Sequence, residues 1–154
     1  MNIAEKKTER LFEKWQSLDR VFEEYAKSKN LNYISLSVLE AIYEMPEECT
    51  QKLICELIHY PKQSVNLVIK SFWDSGYVEL RETPEDRRNK LIILTEKGKM
   101  YAEEIIAPLE KLDNSVIKKM GERQFSELMR LMDIYGQLYL DEMKKLLPTG
   151  MKTI

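Results

Sequence analysis

The side chains in this sequence that are suited to binding chemistry gather between residues 60 and 95. Within a short stretch after Pro61, five polar residues alternate with apolar residues at helical intervals: Lys62, Gln63, Ser64, Asn66 and Lys70. Amide and hydroxyl groups hydrogen-bond base edges, and ammonium groups bind phosphate oxygens. The pattern predicts base readout by Gln63, Ser64 and Asn66, and phosphate contacts by Lys62 and Lys70. A second polar group, Asp86-Arg87-Arg88, lies farther along and extends this predicted DNA-binding set.

The sequence contains few residues suited to catalysis or to metal binding. The chain has one histidine, His59, and two cysteines, Cys49 and Cys55, and no glycine-rich phosphate loop. Two candidate ligands do not make a zinc site, so neither an enzyme, a metal nor a cofactor is expected. The cysteines have two interpretations. The favoured one is a pair of small, reduced, half-buried residues, and the other is a redox sensor in which Cys49 is activated at a helix start.

The elements that must position the polar residues are a helix and a hairpin. Pro61 suits a first helical position, and Gly76 suits a helix end. Val65, then Val68 or Ile69, then Phe72 or Trp73 recur at helical spacing and are expected to face a core. Residues 77–82 then alternate with a period of two and predict a strand, and residues 90–94 are the expected return strand, joined to it by the turn-forming residues 83–89.

These residues resemble the MarR family of winged-helix transcriptional regulators. The resemblance rests on the glycine-ended helix, on Asp86 and Arg88 in the hairpin, and on Leu94, Thr95 and Gly98 after it. It implies that the hairpin is a wing whose Arg88 enters a DNA minor groove while Asp86 holds the guanidinium in place. It covers the chain from about residue 5 to about residue 147.

The remaining sequence predicts five more helices. Residues 5–28 carry an apolar stripe, and Ser35 or Ser37 is expected to cap a second helix that ends at Met45-Pro46. Thr50 is expected to cap a third helix, with Leu53, Ile54, Leu57 and Ile58 buried, and Thr95 a fifth. Pro108 predicts a kink in the fifth helix, and residues 113–115 or Gly121 mark where that helix is expected to end or bend. Residues 122–147 are predicted to form a sixth helix.

The predicted fold is therefore mainly α with a small two-stranded β wing. We expect a single domain over residues 1–154, with a winged helix-turn-helix over residues 33–95. The flanking helices, at about 5–28 and 98–147, carry more apolar surface than one chain can bury, which predicts a homodimer rather than a self-contained bundle.

Charge and hydropathy suggest where such a protein works. Residues 51–100 contain nine Lys and Arg against seven Asp and Glu, so this segment carries +2 while the rest carries −4. The asymmetry fits an acidic scaffold with a mildly basic reading module. No apolar run has the length of a membrane span, and the first residues lack the apolar centre of a secretory signal, so a cytoplasmic location is expected.

Two functions remain after this reasoning. In the first, a homodimer binds a pseudo-palindromic operator in double-stranded DNA, as a repressor, and a small aromatic or phenolic effector changes its affinity. The resemblance places the effector pocket near the junction of dimerisation helices and reading module, where the bulky candidates are Trp15, Tyr33, Leu36, Tyr43 and Tyr101. In the second, the winged-helix shell is a protein-interaction module or an antagonist of a related regulator, without its own DNA binding.

Overall fold

The computed structural model describes residues 3–46, 48–82 and 90–146, with side chains from residue 7 onward. Within these residues the chain forms six helices and a two-stranded sheet, as predicted. In chain order they are α1 (Ile3–Ser28), α2 (Tyr33–Glu44), α3 (Gln51–Ile58), α4 (Lys62–Asp74), β1 (Val78–Arg81), β2 (Leu91–Leu94), α5 (Glu96–Met120) and α6 (Glu122–Leu146).

The chain divides into two compact units, Met1–Pro108 and Leu109–Ile154. The first contains α1 to α4, the sheet and the first half of α5. Its core consists mainly of side chains from α2, α3, α4, the sheet and α5, and the largest of them are Leu39, Ile42, Ile54, Ile92, Ile105 and Ile106. The second unit contains the end of α5 and all of α6.

The start of α2 corrects the sequence analysis. Asn32, not Ser35 or Ser37, is the N-cap, and its side chain accepts a hydrogen bond of 2.8 Å from the backbone N–H of Ser35. Ser37 lies inside the helix and donates its hydroxyl to the carbonyl of Tyr33. Asparagine caps as well as serine does, so its earlier position, two residues after the left-handed residue Asn30, decides where the helix begins.

Two further predictions about α3 and α4 need adjustment. Thr50 caps α3 as predicted, accepting from the backbone N–H of Leu53, but Leu57 is 52% exposed rather than buried. Pro61 is the N-cap residue of α4 and not its first helical residue, because its ψ of 138° is extended. Gly76 has a φ of 71° and follows the end of α4 in the left-handed conformation that glycine tolerates.

The sheet is antiparallel, with Val78 opposite Leu94 and Leu80 opposite Ile92. This register puts those four side chains on one face, where Val78, Ile92 and Leu94 are buried and Leu80 is 38% exposed. The return strand also pairs beyond the hairpin, since the N–H of Ile92 donates to the carbonyl of Cys49 at 2.8 Å and Thr50 bridges Leu91. The sheet is thereby tied to the segment that starts α3.

The second unit exposes apolar surface. Helix α5 continues through residues 113–115, where an end or bend was predicted, and stops before Gly121, whose φ is 86°. No described side chain of α6 is buried. Its apolar residues exposed by 40% or more are Leu128, Met129, Leu131, Met132, Ile134, Leu138, Tyr139, Leu140 and Leu146. Among the helices described, none combines the length and the apolar character needed to cross a membrane.

Candidate nucleic-acid interface

Helix α4 has one buried face and one open face. Val65, Val68, Ile69 and Phe72 are buried, and Trp73 is 54% exposed, which resolves both ambiguities in the predicted core face. At about 100° of rotation per residue, the side opposite these four residues carries Gln63, Leu67, Lys70 and Asp74. The core contacts therefore fix which side chains α4 presents to solvent.

The five polar residues predicted in α4 lie on or beside this open face. Lys62, Gln63, Asn66 and Lys70 are exposed, and Ser64 is partly buried toward one edge. Sequence reasoning missed Leu67, which was assigned neither to the core nor to the polar face. Its position four residues after Gln63 and three before Lys70 was the signal that it faces outward.

Charges around the open face are mostly paired with close neighbours. Lys70 Nζ lies 3.2 Å from a carboxylate oxygen of Asp74, one turn farther along α4. On the sheet, Arg81 pairs with Glu79 at 2.8 Å, and Lys90 pairs with Glu82 at 3.2 Å. Lys62 makes no ion pair with the residues that the structure describes. Among the described residues, Lys62 is thus the lysine of α4 whose ammonium group is not paired with a carboxylate.

The start of α4 is held by α3. The side-chain amide of Gln51, in the first turn of α3, donates a 3.0 Å hydrogen bond to the carbonyl of Lys62. The carbonyl of Pro61 accepts from the N–H groups of Ser64 and Val65, which closes the first turn of α4. His59 ends α3 with a φ of 54°, and its N–H donates to the carbonyl of Cys55. These contacts fix the turn between the two helices.

The end of α4 is held by the start of α5. The hydroxyl of Thr95 donates to the carbonyl of Gly76 at 2.7 Å and accepts from the N–H of Gly98 at 3.0 Å, so it caps α5 as predicted. Lys97 donates to the carbonyl of Ser75 at 2.8 Å, and its ammonium lies 4.7 Å from the centre of the Tyr77 ring. This junction fixes α4, the root of the sheet and α5 against each other.

Gly98 has a steric role in this junction. A Cβ atom at residue 98 would lie 1.8 Å from the carbonyl oxygen of Tyr77, so only glycine fits. Tyr77 itself stacks on Tyr101, with ring centroids 4.1 Å apart and planes 4° from parallel. The Leu94, Thr95 and Gly98 pattern noted in the sequence is therefore explained by local packing.

The predicted wing residues Asp86, Arg87 and Arg88 lie outside the described residues. The described strands end opposite each other, at Arg81 and Leu91. The roles assigned to these three residues stay predictions.

Burial makes Cys49 unlike a reactive thiol. Its side chain is 1% exposed, and desolvation raises its pKa to about 12, opposite to the lowering that a helix-start sensor requires. Cys55 is partly exposed and free. Among the described residues, no group of three or more His, Cys, Asp or Glu side chains is arranged to hold a metal ion.

The five predicted effector residues have structural contacts of their own. Leu36 belongs to the core, Trp15 packs edge-on against Phe12, and Tyr101 stacks on Tyr77. Tyr43 donates a hydrogen bond to Glu103. Burial raises the pKa of Tyr33 and, together with neighbouring Tyr77, that of Tyr101, so both phenols stay protonated. Effector binding by these side chains stays a prediction.

Comparison with known proteins connects this geometry to a family. A sequence model of the MarR family matches residues 29–89, which span α2, α3, α4 and β1. A MarR family regulator from Neisseria meningitidis has a solved structure that is 26% identical, covers 96% of this chain and 100% of its own, and superposes with a TM-score of 0.78. These two matches support an assignment of the chain to the MarR family.

Two more distant relatives agree with this assignment. The MarR protein of Staphylococcus aureus, solved in complex with salicylate and kanamycin, shares the fold at 19% identity and a TM-score of 0.68, covering 91% of this chain and 94% of its own. The HTH-type transcriptional regulator Hpr of Bacillus licheniformis is 21% identical over 91% of this chain and 70% of its own.

Proposed function

We propose that the chain acts as a homodimeric repressor that binds a pseudo-palindromic operator through the open face of α4 and the wing. The observation that carries this proposal is the arrangement of α4, in which four buried residues fix an outward face with Gln63 at its centre and Asn66 on its flank. Amide side chains on an outward helix face are the groups that read adenine edges in a major groove.

The rigid connections at both ends of α4 support the proposal. Gln51 holds the start of the helix, and Thr95 and Lys97 hold the backbone just after its end. A recognition helix fixed in this way loses little conformational entropy when it enters a groove, so its contacts count toward affinity.

The apolar surface of α6 supports a dimer. Its leucines and methionines are extensively exposed in the single chain, and so is Leu18 in α1, at 60%. Exposed apolar patches of this kind mark protein-protein interfaces. A two-fold dimer presents two copies of α4, and the operator is then expected to contain two related half-sites.

The proposed effector is a small aromatic or phenolic acid. The relative from Staphylococcus aureus was solved with salicylate, and this chain has aromatic side chains on α1, α2 and α5 in the first unit, including Trp15, Tyr43 and Tyr101. A thermal-shift screen of aromatic acids with the full chain tests this part. Ligands that raise the melting temperature are then added to the DNA complex, and release of the DNA is the expected result.

The experiment for the DNA-binding function is a footprint of the purified full chain on the region upstream of its own gene. Protection of a stretch with two inverted, related half-sites is expected, with no protection of a scrambled fragment. Equal protection of both fragments, or of neither, contradicts the proposal. Failure to bind would favour the protein-interaction module, which a search for partners of the folded chain then tests.

A further inference from the structure

Leu67 stands out on the open face of α4. It is 62% exposed, more than any other large apolar side chain of the helix. By helical rotation it lies within about 40° of Gln63 and about 60° of Lys70. An apolar side chain is therefore placed among the polar groups of the candidate reading surface.

The fold itself does not require leucine at this position. Val65, Val68, Ile69 and Phe72 supply the buried face of α4, and Leu67 points away from them. Any helix-favouring polar residue would maintain the helix, and exposed leucine gains nothing by burial within the chain. Its exposed apolar surface is available to a ligand that carries an apolar group beside the hydrogen-bonding groups that the polar residues of α4 contact.

DNA presents one such group in the major groove. The C5 methyl of thymine is apolar, whereas the other readable features of the base edges there are hydrogen-bond donors and acceptors. We propose that Leu67 is a specificity-determining residue that selects thymine in each half-site by packing against its C5 methyl. The inference rests on the proposed function, because it requires α4 to lie in a major groove.

The neighbours of Leu67 make this division of roles consistent. Gln63, one turn earlier, has the amide that pairs with an adenine edge, and Lys70, one turn later, has the charge for a phosphate. Leu67 lies between them, so it would contact the groove between the base read by Gln63 and the DNA phosphate bound by Lys70. A thymine next to the position read by Gln63 is therefore expected.

The experiment uses a duplex operator obtained by selection from a random library with the full chain. Each thymine of the operator is replaced in turn by deoxyuridine, which removes only the methyl and keeps the hydrogen-bonding groups. For the wild-type protein we expect about a fourfold loss of affinity at one thymine in each half-site, the factor for one apolar carbon removed from water. The same loss is expected for Leu67→Ala on the unmodified duplex.

The decisive result is the combination of both changes. Leu67→Ala should be indifferent to deoxyuridine at that thymine, while Leu67→Met, which keeps an apolar side chain, should still respond. Leu57→Ala removes a leucine of similar exposure from α3 and should keep the wild-type response. Melting curves check the fold, which an exposed leucine-to-alanine change in a helix should leave intact.

Two results would overturn the inference. In one, Leu67→Ala binds the operator as tightly as wild type and keeps every deoxyuridine effect. In the other, no thymine of the operator responds to loss of its methyl in the wild-type protein. Both differ from failure of the proposed function, in which selection yields no duplex that the wild-type protein prefers over a scrambled one.

Discussion

The ion pair between Lys70 and Asp74 places a carboxylate on the face proposed to meet DNA. The two side chains are 64% and 56% exposed, so water and salt screen the pair and it adds little to folding. In the proposed DNA complex, Asp74 would both neutralise Lys70 and repel nearby phosphates. We therefore expect the pair to affect DNA affinity more than it affects the stability of the helix.

Replacing Asp74 by asparagine should release Lys70 for phosphate contacts. We expect about a threefold gain in affinity for operator and scrambled duplexes alike, larger at low salt, since surface charge effects of up to about 1 kcal/mol are typical. Glu127→Gln, which breaks the Glu127–Arg130 pair of α6, controls for net charge and should change neither affinity. Equal effects of the two variants would show that Asp74 acts only through net charge.

Burial of the Cys49 thiol gives a second prediction at this scale. With a pKa of about 12, the folded thiol is almost wholly protonated at pH 8, and iodoacetamide should label Cys55 but not Cys49. Peptide mass mapping measures this, and both cysteines should be labelled in denaturant. Fast labelling of Cys49 in the folded protein would restore the redox-sensor interpretation.

The same pKa has a consequence for stability. The unfolded thiol, with an ordinary pKa near 9, releases its proton before the folded one does. Its contribution to stability is thus complete below pH 9 and is lost as the pH rises toward 12.

Among the elements, the start of α5 is the most tightly constrained. In Gly98→Ala the added methyl group would lie 1.8 Å from the carbonyl oxygen of Tyr77, which is a steric clash. The same oxygen accepts a 3.0 Å hydrogen bond from the N–H of Thr95. We expect a loss of about 1–3 kcal/mol in the free energy of unfolding, typical of overpacking at a rigid site. Urea denaturation measures it.

Gly136→Ala is the matched control for Gly98→Ala. It is also a helical glycine, and an added Cβ meets nothing within 4 Å in the chain. The change should leave stability equal or raise it by about 0.5–1 kcal/mol, the helix propensity difference. Equal effects at the two positions would contradict the packing described at the junction.

Element boundaries were predictable from sequence where one residue type decides them. Gly76 and Thr50 mark a helix end and a helix start by conformational and capping preferences that few other residues share. The start of α2 was missed because Asn32, Ser35 and Ser37 all have capping side chains and lie within six consecutive positions. Choosing among them depends on the tertiary position of Tyr33 and Leu36, which local sequence does not specify.

The candidate site was predictable in composition but not in orientation. Helical spacing identified the core face of α4 and, with it, the polar face. It did not single out the Lys70–Asp74 pair or Leu67, although both follow from three- and four-residue spacing once the buried face is known. Tertiary packing of that buried face sets the rotation of α4, and the contacts of Gln51 and Thr95 hold the backbone at or near its two ends.

For the whole molecule, the exposed apolar face of α6 predicts the assembly state. Light scattering should give twice the mass of one chain at micromolar concentration. Leu128→Glu should dissociate or unfold the protein, because Leu128 is 41% exposed in the single chain and a charge there opposes burial between two chains. Leu57→Glu, at a leucine in α3 that is 52% exposed, should leave the dimer intact. A stable wild-type monomer would rule this assembly out.

The central claim is that the open face of α4 reads DNA sequence, and competition titrations test it most directly. The operator and scrambled duplexes compete for binding to the wild-type protein, and the same titration is repeated with Asn66→Ala and with Lys62→Ala. We predict that Asn66→Ala loses about 1–3 kcal/mol of discrimination at one base position, while Lys62→Ala weakens both duplexes alike and flattens the salt dependence. If Asn66→Ala keeps the wild-type ratio of operator to scrambled affinity, this face of α4 does not read the sequence as described.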